Sequence, residues 1–237
     1  MSLGNDRAAE AASAGTAARF RVALTFDVEH PDRPSVPGVT ERILDVLDRL
    51  HVHATMFIQG RWAEAYPDTA AAIAHAGHLV GNHSFYHARM PLFTREAFAT
   101  DVRSAEGVLR EACGVDPAPW FRCPFGTGQD DSAIISQLDQ LGYRNVGWDV
   151  DGYDWDVGGA AELEERIVLE SVACGDGAVV LLHGWPRRTP EALSAIVARL
   201  RDAGAQFVSV DALESVPSGF PVPRAGADAG GADAATG

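Results

Sequence analysis

Short apolar runs and longer segments with helical spacing alternate along the middle of the chain. Seven runs predict strands: Phe20–Phe26, Ala54–Ile58, His78–Gly81, Pro119–Arg122, Arg144–Trp148, Ala178–Leu182 and Gln206–Val210. Six segments predict helices: Val39–Leu50, Pro67–Ala76, Thr94–Ala112, Asp130–Leu141, Ala160–Cys174 and Pro190–Ala203. A glycine, typical of helix C-termini, follows three of these helices, at Gly77, Gly142 and Gly204.

Strands that alternate with helices are typical of a parallel sheet whose strands are joined by helical crossovers. About seven such strands favour an α/β fold, a (β/α) barrel with fewer than the usual eight strands. An open, doubly wound sheet is the alternative. A dinucleotide-binding fold of that kind would have a glycine-rich phosphate loop after the first strand, and none follows residues 20–26.

The two ends of the chain differ in composition from its middle. Residues 1–18 are rich in Ala, Gly and Ser, and residues 217–237 are rich in Pro, Gly and Ala, so neither end has enough apolar side chains to order itself. We expect an N-terminal tail over residues 1–18, disordered or tag-derived, one folded domain over residues 19–216, and a flexible C-terminal tail over residues 217–237.

The formal net charge of −14 argues against nucleic acid or an anionic membrane surface as a partner, because binding to phosphate needs clustered Lys and Arg. No run of about 18 apolar residues is present, so we expect no membrane insertion. The N-terminus has no signal peptide, which predicts a cytoplasmic protein as the chain stands, or a secreted or cell-wall protein if an export signal was removed. Three cysteines without a Cys-x-x-Cys pair predict reduced thiols.

Polar side chains cluster where the predicted strands end. The clusters are Thr25–His30, Asn82–His87, Arg122–Gly126, Asp149–Trp155 and His183–Pro186. In a parallel barrel the carboxyl ends of all strands open onto one face, where the active sites of such barrels are built. The sequence therefore predicts one site at that face.

A divalent cation is the first chemistry that these clusters suggest. His83 and His87 are four residues apart, a spacing that lets two imidazoles reach one ion. Asp27 and Glu29 end the neighbouring strand, and one can bind the ion while the other serves as a general base, provided that the chain turns there to bring both to the ion. Two histidines and one carboxylate leave positions open for water and substrate, which is typical of a catalytic site.

Charged and aromatic side chains complete the predicted site. Arg122 can orient a carboxylate base, and a carboxylate near Trp155, Asp151 or Asp154, can fix the tautomer of His183 and make it a general acid. Aromatic residues of the same loops can stack on sugar rings or wall an acyl pocket: Phe85, Tyr86, Phe125, Tyr153, Trp155 and Trp185.

In this order the clusters resemble the five motifs of the polysaccharide deacetylase (NodB-homology) family of carbohydrate esterases, over residues 20–212. The matching segments are Thr25-Phe26-Asp27, His83-Ser84-Phe85-Tyr86-His87, Arg122-Cys123-Pro124-Phe125-Gly126, Asp151-Gly152-Tyr153-Asp154-Trp155 and Leu181-Leu182-His183. The resemblance implies a distorted (β/α) barrel and a hydrolase that removes acetyl groups from an N-acetylated or O-acetylated sugar or glycan. It also implies one divalent metal ion, usually zinc and sometimes cobalt or nickel.

The resemblance further implies a role for each matching residue. Asp27 would be the catalytic base, held by Arg122, and His183 the general acid, tuned by Asp154. His83 and His87 would be metal ligands. The backbone N–H of Phe125 would stabilise the oxyanion. The residues expected to line the substrate slot are Leu181, Trp155, Tyr153 and Trp185.

One position departs from the family pattern. The usual first motif has two adjacent aspartates, the second being the third metal ligand, and here that position is Val28. We expect Glu29 to replace it. The change also leaves two alternatives: a metal-free or metal-dependent hydrolase of a small cyclic amide or ureide, related to allantoinase, and a barrel that binds glycan without catalysis. Retention of Asp27, Arg122 and His183 argues against the second.

Overall fold

Strands and helices alternate along residues 19–217, the part of the chain that the computed structural model describes. The predicted tail over residues 1–18 and all but the first residue of the predicted tail over residues 217–237 lie outside this part. The strands are β1 (Phe20–Val28), β2 (Thr55–Ile58), β3 (Leu79–Asn82), β4 (Trp120–Phe121), β5 (Arg144–Asn145), β6 (Val150–Asp151), β7 (Ala178–His183) and β8 (Ala205–Phe207). The helices are α1 (Val39–Leu50), α2 (Gly60–Ala65), α3 (Pro67–His75), α4 (Arg95–Cys113), α5 (Ser132–Gln140), α6 (Ala160–Cys174) and α7 (Arg188–Asp202).

All strand pairs are parallel, in the order β5-β4-β3-β2-β1-β7-β6, and β8 pairs with the first residues of β1. Only the first two residues of the predicted strand over residues 144–148 form a strand, β5, and a second short strand, β6, follows at Val150–Asp151. The two strands lie at opposite edges of the sheet. The four-residue segment between them hydrogen-bonds to strands at both edges. The N–H of Val146 donates to Phe121 O of β4 at 2.7 Å, and the N–H of Asp149 donates to Val179 O of β7 at 2.8 Å. Because this short segment links the two edges, the sheet is strongly curled, which confirms the predicted distorted barrel.

The two faces of β1 have different surroundings because side chains alternate along a strand. Val22, Leu24, Phe26 and Val28 are buried in the large core between the sheet and its helices. Ala23 packs on the other face, in the smaller core inside the barrel, which also includes Phe57, Val146, Trp148, Val179 and Leu181. Thr25 and Asp27 follow Ala23 at a spacing of two residues, so their side chains also point into the barrel.

The helices follow the predicted pattern closely, and α1 and α6 have the predicted bounds. The three glycines predicted to end helices, Gly77, Gly142 and Gly204, all have positive φ, as the left-handed turn after a helix requires. The six-residue helix α2 is missing from the prediction. It buries only Gly60, Trp62 and Ala63, and one such turn is too short to show helical periodicity.

Within residues 19–217, no helix combines the length and the apolar character needed to cross a membrane. Cys113, Cys123 and Cys174 form no disulfide within these residues.

The close packing of β3 on the barrel interior gives a test of the fold. A Cβ built on Gly81 would lie 2.6 Å from the buried ring of Phe57. That ring stacks on the guanidinium of Arg122, 4.2 Å from the ring centroid, so it cannot move freely. Gly81→Ala should lower the free energy of unfolding by about 1–3 kcal/mol, the usual cost of overpacking, as measured by denaturant unfolding.

Gly107→Ala is the matched control, because a Cβ there meets no atom within 4 Å on helix α4. It should raise the free energy of unfolding by about 0.5–1 kcal/mol, since alanine is the better helix former. Equal stability of the Gly81→Ala variant and the wild type would contradict the packing described for the barrel interior.

Candidate active site

The carboxyl ends of the strands meet at one face of the barrel and surround a cleft of ≈ 380 Å³. Nine of the twelve residues that the sequence predicts for the site line this cleft: Asp27, Glu29, His87, Phe125, Tyr153, Trp155, Leu181, His183 and Trp185. The other three, His83, Arg122 and Asp154, are buried, each at most 1% exposed. They hydrogen-bond or ion-pair with residues of the cleft wall, so the predicted set forms one group in space.

Asp27 and Glu29 point toward the same side without a turn of the chain, and the expectation that a turn is needed was wrong. Residues two apart on a strand share a face, so Thr25, Asp27 and Glu29 form one row toward the barrel interior. Val28, between the two acids, points into the outer core and is 1% exposed. The alternation that hides Val28 thus presents Glu29 beside Asp27.

Glu29, His83 and His87 form a three-residue group whose ligand atoms all lie within 4.8 Å of one another. Glu29 Oε2 is 3.3 Å from His83 Nε2 and also contacts His87 Nε2. Glu29 Oε2 and His83 Nε2 are both buried and have no hydrogen-bond partner. Buried polar atoms without partners are rare and costly, and a cation between them would satisfy both.

The tautomer of His83 is compatible with metal binding. Its Nδ1 lies 2.9 Å from the carbonyl oxygen of Arg122, which can only accept a hydrogen bond. Nδ1 therefore carries a proton, and Nε2 is the nitrogen that faces Glu29 and can bind a metal ion. An imidazole that donates its other N–H to a carbonyl is the usual arrangement of a metal-binding histidine.

Charge is distributed in this group as a cation site requires. Burial by itself would raise the pKa of Glu29, but the adjacent His83 and His87 outweigh burial and hold that pKa well below its ordinary value. Burial lowers the pKa of His83, yet the carboxylates of Asp27 and Glu29 outweigh it and raise that pKa. Two acids thus give the pocket a negative field that a divalent cation can neutralise.

Asp27 is held by a fully buried arginine. Arg122 Nη1 donates to Asp27 Oδ1 at 2.9 Å and to Thr25 Oγ1 at 2.8 Å. Its Nε and Nη2 donate to the carbonyl oxygens of Val146 and Gly147, each at 3.0 Å. Asp27 Oδ2 remains on the cleft side, 3.5 Å from His83 Nε2. One oxygen of Asp27 is thus fixed and the other faces the ligand group.

His183 and Asp154 form a second pair across the cleft. His183 Nδ1 lies 2.9 Å from Asp154 Oδ1, and Asp154 Oδ2 accepts from the backbone N–H of His183 at 2.8 Å and from Thr189 Oγ1 at 2.6 Å. Burial lowers the pKa of His183, but the charge and hydrogen bond of Asp154 outweigh it and raise the pKa to about 9. The ring therefore carries a proton at neutral pH.

Asp101 is a buried acid of the site region that the sequence analysis missed. Its two carboxylate oxygens accept from the backbone N–H groups of Phe85 and Tyr86, both at 3.0 Å. These bonds fix the loop between His83 and His87, in which Ser84 and His87 have positive φ. The signal was available: residue 101 falls on the apolar face of α4, between Phe98, Val102 and Ala105.

Four of the six predicted aromatic residues, Phe125, Tyr153, Trp155 and Trp185, line the cleft together with Leu181, whereas Phe85 and Tyr86 do not. Some of these residues make specific contacts. The rings of Phe125 and His87 have centroids 4.4 Å apart, and those of Trp155 and His183 are 4.7 Å apart. Trp185 Nε1 donates to Glu29 Oε1 at 3.2 Å, a contact that the sequence did not predict. Six further residues line the cleft: His30, Asp32, Arg33, Gly126, Trp148 and Asp151. Of these, Asp151 was predicted as the alternative to Asp154 beside His183, and that contact is made by Asp154.

Comparisons with known proteins identify the family and the fold. The family model described as polysaccharide deacetylase matches residues 14–146. The peptidoglycan-N-acetylmuramic acid deacetylase PdaC of Bacillus subtilis is 32% identical over 198 residues, which are 82% of this chain and 39% of that protein. A peptidoglycan-N-acetylglucosamine deacetylase of Bacillus cereus is 29% identical over 199 residues, 82% of this chain and 68% of that one.

Among solved structures, a CE4 family pseudoenzyme from Bacillus anthracis superposes with a TM-score of 0.73 and 25% identity, over 82% of this chain and 65% of that one. The matched region thus spans well under half of PdaC and about two thirds of the other two proteins. The fold is therefore shared with both active and inactive relatives, and side chains of the cleft must distinguish the two cases.

The hydrogen bonds of Asp101 give a test of how the loop between His83 and His87 is held. Asp101→Asn leaves one acceptor oxygen for two backbone N–H groups and turns an NH₂ group toward one of them. The variant should lose about 1–3 kcal/mol of unfolding free energy, the cost of a broken buried hydrogen bond, as measured by denaturant unfolding. Asp45→Asn, on the exposed face of α1, should change it by less than about 0.5 kcal/mol. Equal effects of the two substitutions would contradict the role given to Asp101.

Proposed function

The chain belongs to the polysaccharide deacetylase family of hydrolases, and from this we propose that it removes acetyl groups from an N-acetylated, or O-acetylated, sugar or glycan. One observation carries the proposal. The free oxygen of the arginine-held Asp27 and the protonated His183 lie at the same level of neighbouring strands β1 and β7, in one cleft with the group formed by Glu29, His83 and His87.

A divalent cation fits the residues present. Two imidazole nitrogens and one carboxylate oxygen suit zinc, and also cobalt or nickel. We infer that Glu29, His83 and His87 hold the ion, with Glu29 in place of the acid that Val28 cannot supply. A cation held there would supply Lewis acidity to a water molecule and to the acetyl carbonyl.

Asp27 is the proposed general base. Arg122 fixes Oδ1 and leaves Oδ2 on the side of the ligand group, where a water molecule can give up a proton as it attacks the acetyl carbon. The backbone N–H of Phe125, in a short turn over residues 124–126 with φ of 57° at Phe125, is the proposed donor to the oxygen that becomes negative.

His183 is the proposed general acid. Asp154 accepts from Nδ1, so the proton on Nε2 is the one available for the leaving group. When the carbon–nitrogen bond breaks, this proton passes to the departing sugar amine, and acetate carries the attacking oxygen. Leu181 and Trp155 would contact the acetyl methyl group, and Tyr153 and Trp185 would contact the sugar ring.

A non-catalytic barrel is the alternative that the similarity to a pseudoenzyme raises. The proposed acid and base are nevertheless each paired with a buried partner. A site without catalysis would have no need to retain a buried ion pair between Asp27 and Arg122 and a protonated His183, both of which cost desolvation free energy. The cleft therefore favours an enzyme.

The roles of the two carboxylates can be separated by substitution. Glu29→Ala should remove the divalent ion, because only two imidazoles remain. Asp27→Asn should keep the ion and lose turnover by about 10²–10⁴-fold, the usual contribution of a general base. Metal content and acetate release from peptidoglycan fragments, chitooligosaccharides, acetylxylan and small ureides, with and without chelator, measure both effects.

Glu64→Ala, on the exposed face of α2, should change neither quantity. Unchanged metal content in Glu29→Ala would show that the third ligand lies elsewhere. Turnover of ureides alone, insensitive to chelator, would replace the proposal by the cyclic-amide alternative.

The pH dependence of kcat/KM tests the proposed acid. Since His183 must be protonated and its pKa is raised to about 9, activity should persist to that pH and fall above it. Asp154→Asn removes the largest cause of the increase, so the alkaline limb should move to lower pH. Asp156→Asn, exposed in the same loop, should leave the limb in place. An alkaline limb unmoved by Asp154→Asn would refute this assignment of the acid.

A further inference from the structure

Trp185 lines the cleft and also hydrogen-bonds to a proposed metal ligand, a contact that substrate binding alone does not require. It lies two residues after the end of β7, and its indole N–H donates to Glu29 Oε1 at 3.2 Å. The contact joins the loop after β7 to the residue that follows β1. It therefore involves the one carboxylate of the site that departs from the family pattern.

The two oxygens of Glu29 have different surroundings. Oε1 accepts the indole hydrogen bond, whereas Oε2 faces His83 and His87 and has no hydrogen-bond partner. The carboxylate is buried, with 7% of the residue exposed. Rotation of the carboxylate would leave the indole N–H without its acceptor, so Oε2 is the oxygen presented to the two imidazoles.

Trp185 is itself fixed from several sides. The N–H of Gly184 donates to Asp27 O at 2.9 Å, and Thr40 Oγ1 donates to Gly184 O at 2.9 Å. The indole ring lies under the guanidinium of Arg33, 5.7 Å from the ring centroid. The indole N–H is therefore already fixed in place by these contacts. Its hydrogen bond to Glu29 costs little additional conformational entropy of the Trp185 side chain.

A glutamate needs such a donor more than an aspartate would. It has one more rotatable bond, and it lies just past the end of β1, outside the regular strand hydrogen bonds. Without a partner for Oε1, the carboxylate could rotate or offer both oxygens to one cation. Occupation of a second coordination position would leave less room for water and substrate.

We propose that Trp185 is a positioning residue that makes Glu29 a one-oxygen ligand of the cation. This inference rests on the proposed function, because it assumes that Glu29, His83 and His87 bind a divalent ion. It adds to that function an explanation of how Glu29 can bind the ion in place of the aspartate expected at position 28.

The test uses the full chain and Trp185→Phe, which keeps an aromatic ring and removes the N–H. Zn²⁺ affinity, measured by competition with a chromophoric chelator, should fall about 10–100-fold, the usual effect of losing a hydrogen bond to a metal ligand. The visible absorption of the Co²⁺-loaded protein should change as well, because it reports coordination number and geometry. Trp155→Phe is the matched control: it alters a ring that contacts His183, and it should leave both signals as in the wild type.

A second substitution separates positioning from general disturbance. In a Glu29→Asp background the shorter side chain cannot reach both Trp185 and the histidines, so adding Trp185→Phe should weaken Zn²⁺ binding no further. An equal loss of affinity in both backgrounds, or wild-type affinity and Co²⁺ spectrum in Trp185→Phe with only KM raised, would overturn the proposal. Absence of Zn²⁺ binding in the wild type would instead refute the metal site of the proposed function, so the two failures are distinguishable.

Discussion

The site depends on the burial of one positive charge. Arg122 is 0% exposed, and burial lowers the pKa of its guanidinium. Such a charge is tolerated only when its donors are paired, and here the partners are Asp27, Thr25 and the carbonyl oxygens of Val146 and Gly147. These groups come from β1 and from the segment that joins the two edges of the sheet. The guanidinium therefore has all its hydrogen-bond partners only when the sheet has curled into the barrel.

The same arginine connects the two halves of the proposed chemistry. Its side chain orients Asp27, while its main-chain carbonyl accepts from His83 Nδ1 and so directs Nε2 toward Glu29. A shift of Arg122 would therefore displace the base and a proposed ligand together. The two acids in turn differ by environment, since Asp27 is paired with a guanidinium and Glu29 with two imidazoles and an indole. This difference supports separate roles for carboxylates two residues apart.

Much of the fold could be predicted because strand and helix periodicities are local, and α1 was predicted with its correct bounds. The division of residues 144–151 into β5 and β6 was not predicted, since pairing with opposite edges of a sheet is a long-range property. Among the site residues, those within motifs were found, whereas Asp101 and the hydrogen bond of Trp185 were missed. Their partners, the loop after β3 and Glu29, are 15 or more residues away in sequence, and only the folded chain brings them together.

The alternation along β1 has a consequence for how relatives of this chain are classified. A search that demands an acid directly after Asp27 would meet Val28 and find no second acid in the first motif. Counting acids on the barrel-facing side of the first strand gives the opposite answer, because Glu29 follows Asp27 on that side. The second acid of this chain is therefore found from the inward-facing side chains of β1 and not from consecutive positions of the sequence.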